Sequence, residues 1–78
     1  MNLIDLKLYK ALRKTGASTK ESLDKNANLT YDLGFEEYEY KIFLYFLETI
    51  FKIQIADREV AQMVTVDSTL RFLQNRQK

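Results

Sequence analysis

The chemistry-bearing residues of this chain are carboxylates. Asp32, Glu36, Glu37 and Glu39 fall within eight positions of one another. A close carboxylate pair can serve as general acid and base when its surroundings drive the two pKa values apart. That requirement is unmet here. Residues 36 and 37 would lie about 100° apart on a helix, and nothing in the neighbouring sequence would desolvate either one. The 78 residues include no histidine and no cysteine. The usual general base at neutral pH, the commonest zinc ligand, a thiolate metal site and a disulfide framework are therefore excluded. No glycine-rich phosphate loop and no metal-ligand spacing is present. The chain reads as a non-enzyme with no catalytic residue and no metal site, and contact through charge and aromatic surface is left.

The carboxylates sit where an irregular segment turns into the strongest helical pattern. Asp32-Leu33-Gly34-Phe35-Glu36-Glu37-Tyr38 leads into a helix expected over about 36–51, centred on the apolar run Ile42-Phe43-Leu44-Tyr45-Phe46-Leu47. Six consecutive apolar residues pass more than once around a helix. Such a helix is either wrapped by the rest of the domain or partly covered by a partner. Eight of the ten aromatics lie between Tyr31 and Phe51, which makes this helix the centre of the expected core. Glutamates in its first turn suit the positive end of the helix dipole and need no partner to explain them.

Charge is uneven along the chain. The formal net charge is +1, but residues 1–25 carry six Lys/Arg against three acids, residues 26–51 one against five, and residues 52–78 five against three. The acidic middle could steer a basic partner surface. From Asn2 to Lys14, Ile4, Leu8, Ala11 and Leu12 recur at helical spacing, with Leu3 and Leu6 widening the stripe. Lys7, Lys10, Arg13 and Lys14 fill the other face, and Gly16 offers a stop. The basic face is read as solvated and not as a nucleic-acid or membrane footprint, because the chain is nearly neutral and has no aromatic-basic groove.

A long connection follows, over 17–35, of a length that needs explaining in a small domain. Ser18-Thr19-Lys20-Glu21 has the form of a capping box opening a short helix to about Lys25. Asn28-Leu29-Thr30 is a glycosylation sequon by form, taken as chance. After the central helix, Lys52-Ile53-Gln54-Ile55 reads as an extended link with Ile53 and Ile55 as plugs. Asp57 is expected to cap a third helix from Arg58 to about Met63, and Asp67 to cap a last helix with Val66, Leu70 and Leu73 inward. Hydrophobic content of 46% against 29% charged residues suits one small globular domain, 1–78. Met1-Asn2-Leu3-Ile4-Asp5 has no basic stretch ahead of an apolar core, and no apolar run is long enough to span a bilayer. A cytoplasmic protein without a signal peptide is expected.

The ordered set of segments resembles the acyl carrier protein family. Asp32-Leu33-Gly34 matches the family signature Asp-Leu-Gly-x-Asp-Ser-Leu. Leu47-Glu48-Thr49-Ile50-Phe51-Lys52-Ile53-Gln54-Ile55-Ala56-Asp57 is similar to its Phe, then Ile-x-Ile-Pro-Asp pattern, and Met63-Val64-Thr65-Val66 ahead of Leu70 to its Thr-Val turn. The resemblance spans the chain and implies an all-α four-helix bundle, with three longer helices, a short third one and a long first loop into which Leu29 and Leu33 tuck. It also implies recognition of the acidic start of the second helix by enzymes of fatty-acid or polyketide-type acyl metabolism.

The departures from the family pattern change what is expected chemically. Glu37 stands where the family has the serine that carries phosphopantetheine. Glu36 replaces the capping Asp, Tyr38 the following Leu, and Lys41 an apolar residue. Ser18, Ser22 and Ser68 are all remote from Gly34. No 4'-phosphopantetheine arm and no other cofactor is expected. The functional expectation is a docking module that contacts carrier-dependent enzymes through Asp32, Glu36, Glu37, Tyr38, Glu39 and Tyr45. Two alternatives stay open: a self-associating helical module, such as a homodimer built on the aromatic helix, and non-covalent binding of an acyl chain between helices.

Overall fold

The computed structural model describes residues 3–16 and 24–76. Four helices are present among them: α1 (Leu3–Thr15), α2 (Glu37–Phe51), α3 (Asp57–Val60) and α4 (Val66–Arg76). The capping box at Ser18 and most of the short helix expected after it lie outside the described residues. No strand forms among the described residues; an isolated antiparallel bridge joins Asn28 to Thr65. The result is a small, mostly helical fold in which α1 packs on both α2 and α4.

In α1 the expected stripe is the buried one. Leu8, Ala11 and Leu12 are inaccessible, and Ile4 packs partly against them. Leu3 and Leu6 do not widen it: they are 66% and 52% exposed. At about 100° per residue both project away from the Leu8–Leu12 side of the helix. The helix stops at Gly16, whose N–H bonds to the Arg13 carbonyl (3.0 Å) at a φ of 100° that favours glycine. Lys7 lies over the Phe51 ring and Lys14 over the Phe46 ring, each 5.6 Å from the centroid. The two helices thus run side by side in opposite directions.

The connection into α2 is held by its own hydrogen bonds and by α4. The backbone N–H of Leu29 donates to Val64 O (2.9 Å), Val66 N–H to Ala27 O (3.0 Å) and Asp67 N–H to Lys25 O (2.9 Å). The last two bonds satisfy N–H groups at the start of α4, which have no partner inside the helix. Ala27, Leu29 and Phe35 are buried, and Leu33 packs partly against the same core. The described part of this connection, from residue 24 on, forms one wall of the core.

Along α2 the buried residues are Phe43, Leu47 and Phe51, four apart, with Ile42, Leu44, Phe46 and Ile50 half-buried. Phe35 meets Phe43 edge-on at 5.3 Å and Tyr40 at 5.7 Å between ring centroids, geometries that favour aromatic pairs. The helix is not wrapped on all sides. Tyr38 and Tyr45 are 69% and 62% exposed; at about 100° per residue Tyr45 lies nearly opposite buried Phe43 and Leu47. The helix ends at Lys52, a non-glycine residue in the left-handed region (φ 57°, ψ 49°). Glu48 then holds the extended link: its backbone carbonyl accepts from Ile53 N–H (3.2 Å) and its carboxylate from Ile55 N–H (2.9 Å). Ile53 and Ile55 plug into the core as expected.

Both remaining caps differ from expectation. Asp57 is the first residue of α3, and Ala56 occupies the cap position. The Ala56 N–H donates to Glu59 Oε1 (2.8 Å), so the third residue of the turn does the capping. The chain continues past Val60 only in tight turns, Gln62 N–H to Glu59 O and Met63 N–H to Val60 O. In α4 the cap is Thr65, one position before the helix. Its Oγ1 accepts from Ser68 N–H (3.0 Å), while Ser68 Oγ accepts from Thr65 N–H (2.9 Å). Asp67 instead lies in the first turn and pairs with exposed Arg71 one turn on. Val66, Thr69, Leu70, Phe72 and Leu73 are buried; Thr69 is accommodated because its hydroxyl donates to Thr65 O (2.8 Å).

Candidate docking face

The turn ahead of α2 is built around Asn28. Its side-chain Oδ1 accepts from Thr30 N–H (2.9 Å) and Tyr31 N–H (3.0 Å). Its carbonyl accepts from Asp32 and Leu33 N–H (2.9 and 3.1 Å). Its own N–H donates to Asp32 Oδ2 (2.6 Å). Phe35 N–H closes the turn on Leu29 O (2.9 Å). Gly34 adopts a φ of 73°, which an L side chain would resist. This turn fixes where α2 begins and aims its first residues outward.

The six residues singled out by the sequence separate into two groups. Glu36, Glu37, Tyr38 and Tyr45 point outward. Glu37 pairs with Lys41 at 3.6 Å; both side chains are well exposed, so the pair is worth only a few tenths of a kcal/mol. Tyr38, Lys41, Tyr45 and Thr49, all exposed, follow one face of α2, and Tyr45 meets Phe46 edge-on at 5.7 Å. The carboxylates of Asp32 and Glu39 are engaged within the fold. Asp32, exposed as a residue, holds Asn28 N–H, and half-buried Glu39 accepts from Glu36 N–H (2.9 Å) through Oε1. The outward charge at the start of α2 thus comes from Glu36 and Glu37 more than from the whole cluster.

Sequence reasoning missed Tyr31, the most exposed large apolar or aromatic residue among those described, at 87%. It borders a shallow groove of about 310 Å³ with Thr30, Tyr40, Met63 and Val64. Tyr40 Oη spans this groove at long hydrogen-bonding distance from Thr30 Oγ1 (3.4 Å) and Met63 O (3.5 Å). The signal was Asn28 itself, since an asparagine whose side chain caps its own following turn leaves the residue at the tip outside.

A second, more polar depression lies at the far end, between the link, α3 and the end of α4. Arg76 crosses it, donating to Glu59 Oε2 (3.0 Å) and to Gln54 O (2.9 Å). The Ala56 N–H bond, with Arg76 beside it, holds the Glu59 carboxyl below its ordinary pKa. These groups strap α4 to the link and satisfy one another. Among the described residues no cluster of three or more acidic side chains could hold a metal ion, and no helix is long and apolar enough to cross a membrane. The sequence matches no known protein family, and no curated protein is significantly similar to it.

Proposed function

We propose that this chain is a non-catalytic docking module of acyl-carrier-protein type, which meets enzymes of fatty-acid or polyketide-type acyl metabolism through the opening of α2. The observation that carries the reading is the joint exposure of Glu36, Glu37, Tyr38 and Tyr45 on α2, with Lys41 on the same face as the two tyrosines, behind the Asp32-Leu33-Gly34 turn. Carboxylates give such a face steering for a basic partner surface. Tyrosines give it contact area at low entropic cost.

Glu37 offers no attachment for a phosphopantetheine arm. A carboxylate cannot form the serine phosphodiester, and this one is exposed beside Lys41. Its negative charge falls where the phosphate of a loaded carrier would lie. The module therefore occupies a carrier-binding surface without delivering an acyl group, as scaffold, decoy or regulator. Incubation with coenzyme A and a broad-specificity phosphopantetheinyl transferase is expected to leave the intact mass unchanged. Addition of the arm's mass would remove the non-carrying reading. Binding itself is tested by titrating a carrier-dependent acyl-transfer enzyme. Glu36→Lys/Glu37→Lys is expected to weaken binding at least about tenfold, or ~1.4 kcal/mol.

A further inference from the structure

The outward face of α1 has a composition that its role in the core does not require. The exposed residues of that helix are Leu3, Leu6, Lys10, Arg13 and Lys14, two leucines and three cations with no carboxylate. No ion pair to these cations forms among the described residues, where the bridges are Lys41–Glu37, Arg71–Asp67 and Arg76–Glu59. The turn into α2 shows the opposite character. From residue 30 to 38 the exposed side chains are Thr30, Tyr31, Asp32, Glu36, Glu37 and Tyr38, with three carboxylates, two tyrosines and no cation. Lys10 and Arg13 on one face and Glu36 and Glu37 on the other are opposite in sign, although Lys41 stands beside Glu37 and Lys14 leans over Phe46, and each face sets two large apolar or aromatic side chains among its charges.

We propose that the outward face of α1 docks on the acidic turn of a second copy of the same chain. Lys10 and Arg13 would approach Glu36 and Glu37, while Leu3 and Leu6 cover Tyr31 or Tyr38. The opposed charges supply most of the attraction and set its orientation and on-rate, and tyrosine and leucine area adds contact. Exposed ion pairs are individually weak and are screened by salt, so the association is concentration-dependent and salt-sensitive. This surface pairing does not depend on any enzyme partner. Where the two coexist, self-docking hides the face offered to that enzyme.

Sedimentation velocity of the wild-type chain from about 1 μM to 1 mM, in about 0.01 M and about 1 M salt, where the Debye length is roughly 30 and 3 Å, tests this directly. The mass is expected to rise with concentration at low salt and to stay monomeric at high salt. Lys10→Glu/Arg13→Glu and Glu36→Lys/Glu37→Lys are each expected to be monomeric, with unchanged far-ultraviolet circular dichroism. Their equimolar mixture is expected to associate again through the swapped charges. A wild type that remains monomeric at the highest concentration overturns the proposal, as does association that survives either reversal or high salt. If the monomeric wild type instead sediments with phosphatidylserine vesicles, and Lys10→Glu/Arg13→Glu abolishes that, the basic face belongs to an anionic lipid surface and the pairing is likewise refuted.

Discussion

Lys52 closes α2 in a conformation that costs an ordinary residue on the order of 1 kcal/mol and glycine nothing. Its φ of 57° is the only positive value at a non-glycine among the described residues. Lys52→Gly is therefore expected to stabilise the fold by about 0.5–1 kcal/mol, net of the extra freedom glycine has when unfolded, and urea denaturation checks the sign. Asp32 is the other residue whose local role is sharply defined. Its carboxylate accepts Asn28 N–H at 2.6 Å. Asp32→Ala should cost about 0.5–1.5 kcal/mol, and Asp32→Asn, which keeps an acceptor, should recover most of it. If both variants are as stable as wild type, the bond is not what holds the turn. The Asp32-Leu33-Gly34 turn is readable in the sequence as the entry to a helix, but the bonds that hold it are not. The sequence marked Asp32 as surface charge, whereas the structure engages its carboxylate in a turn whose centre, Asn28, drew attention only as a sequon.

The elements were legible where periodicity is strong and obscure where hydrogen bonds decide. The stripes Leu8–Ala11–Leu12 and Val66–Leu70–Leu73 are buried as their spacing requires. Leu3 and Leu6 were misread because both are apolar, although their helical angle sets them apart from that stripe. The caps were misplaced because Asp57 and Asp67 are the stronger cap formers by type. The actual caps rest on reciprocal bonds, Thr65 with Ser68 and the Ala56 N–H with Glu59, and residue type alone does not reveal such pairs. The run 42–47 does not enclose α2 on every side: Phe43 and Leu47 are buried, and Tyr45, nearly opposite them on the helix, is exposed. At this scale Glu59 makes a pH prediction. The Ala56 N–H, and Arg76 after it, lower its pKa in the folded state. A lowered carboxylate stabilises the fold above its unfolded pKa of about 4.3, and the effect disappears as pH falls through the lower folded value. The Tm advantage of wild type over Glu59→Gln should be full at neutral pH and vanish on acidification below that range. An advantage that grows toward acid would contradict this sign.

Across the described residues of a chain of net charge +1, opposite charges pair on α2 and α4, while two stretches stay one-sided. The exposed residues of α1 are basic and leucine-bearing, and the turn into α2 is acidic and tyrosine-bearing. The uneven charge was visible in the sequence. Which acids remain outward was not, because Glu39 could be assigned to the capping of α2 only once Glu36 N–H was seen to donate to it. Tyr31 joined the acidic face only when the Asn28 turn was seen to push it out. We propose that the opening of α2 docks carrier-dependent enzymes without a phosphopantetheine arm. Isothermal titration of the unmodified chain into such an enzyme, with wild type and Glu36→Lys/Glu37→Lys compared at the same ionic strength, tests it most directly. Saturable wild-type binding, weakened at least about tenfold by the reversal, is expected; no wild-type binding, or binding that the reversal leaves unchanged, refutes the docking reading.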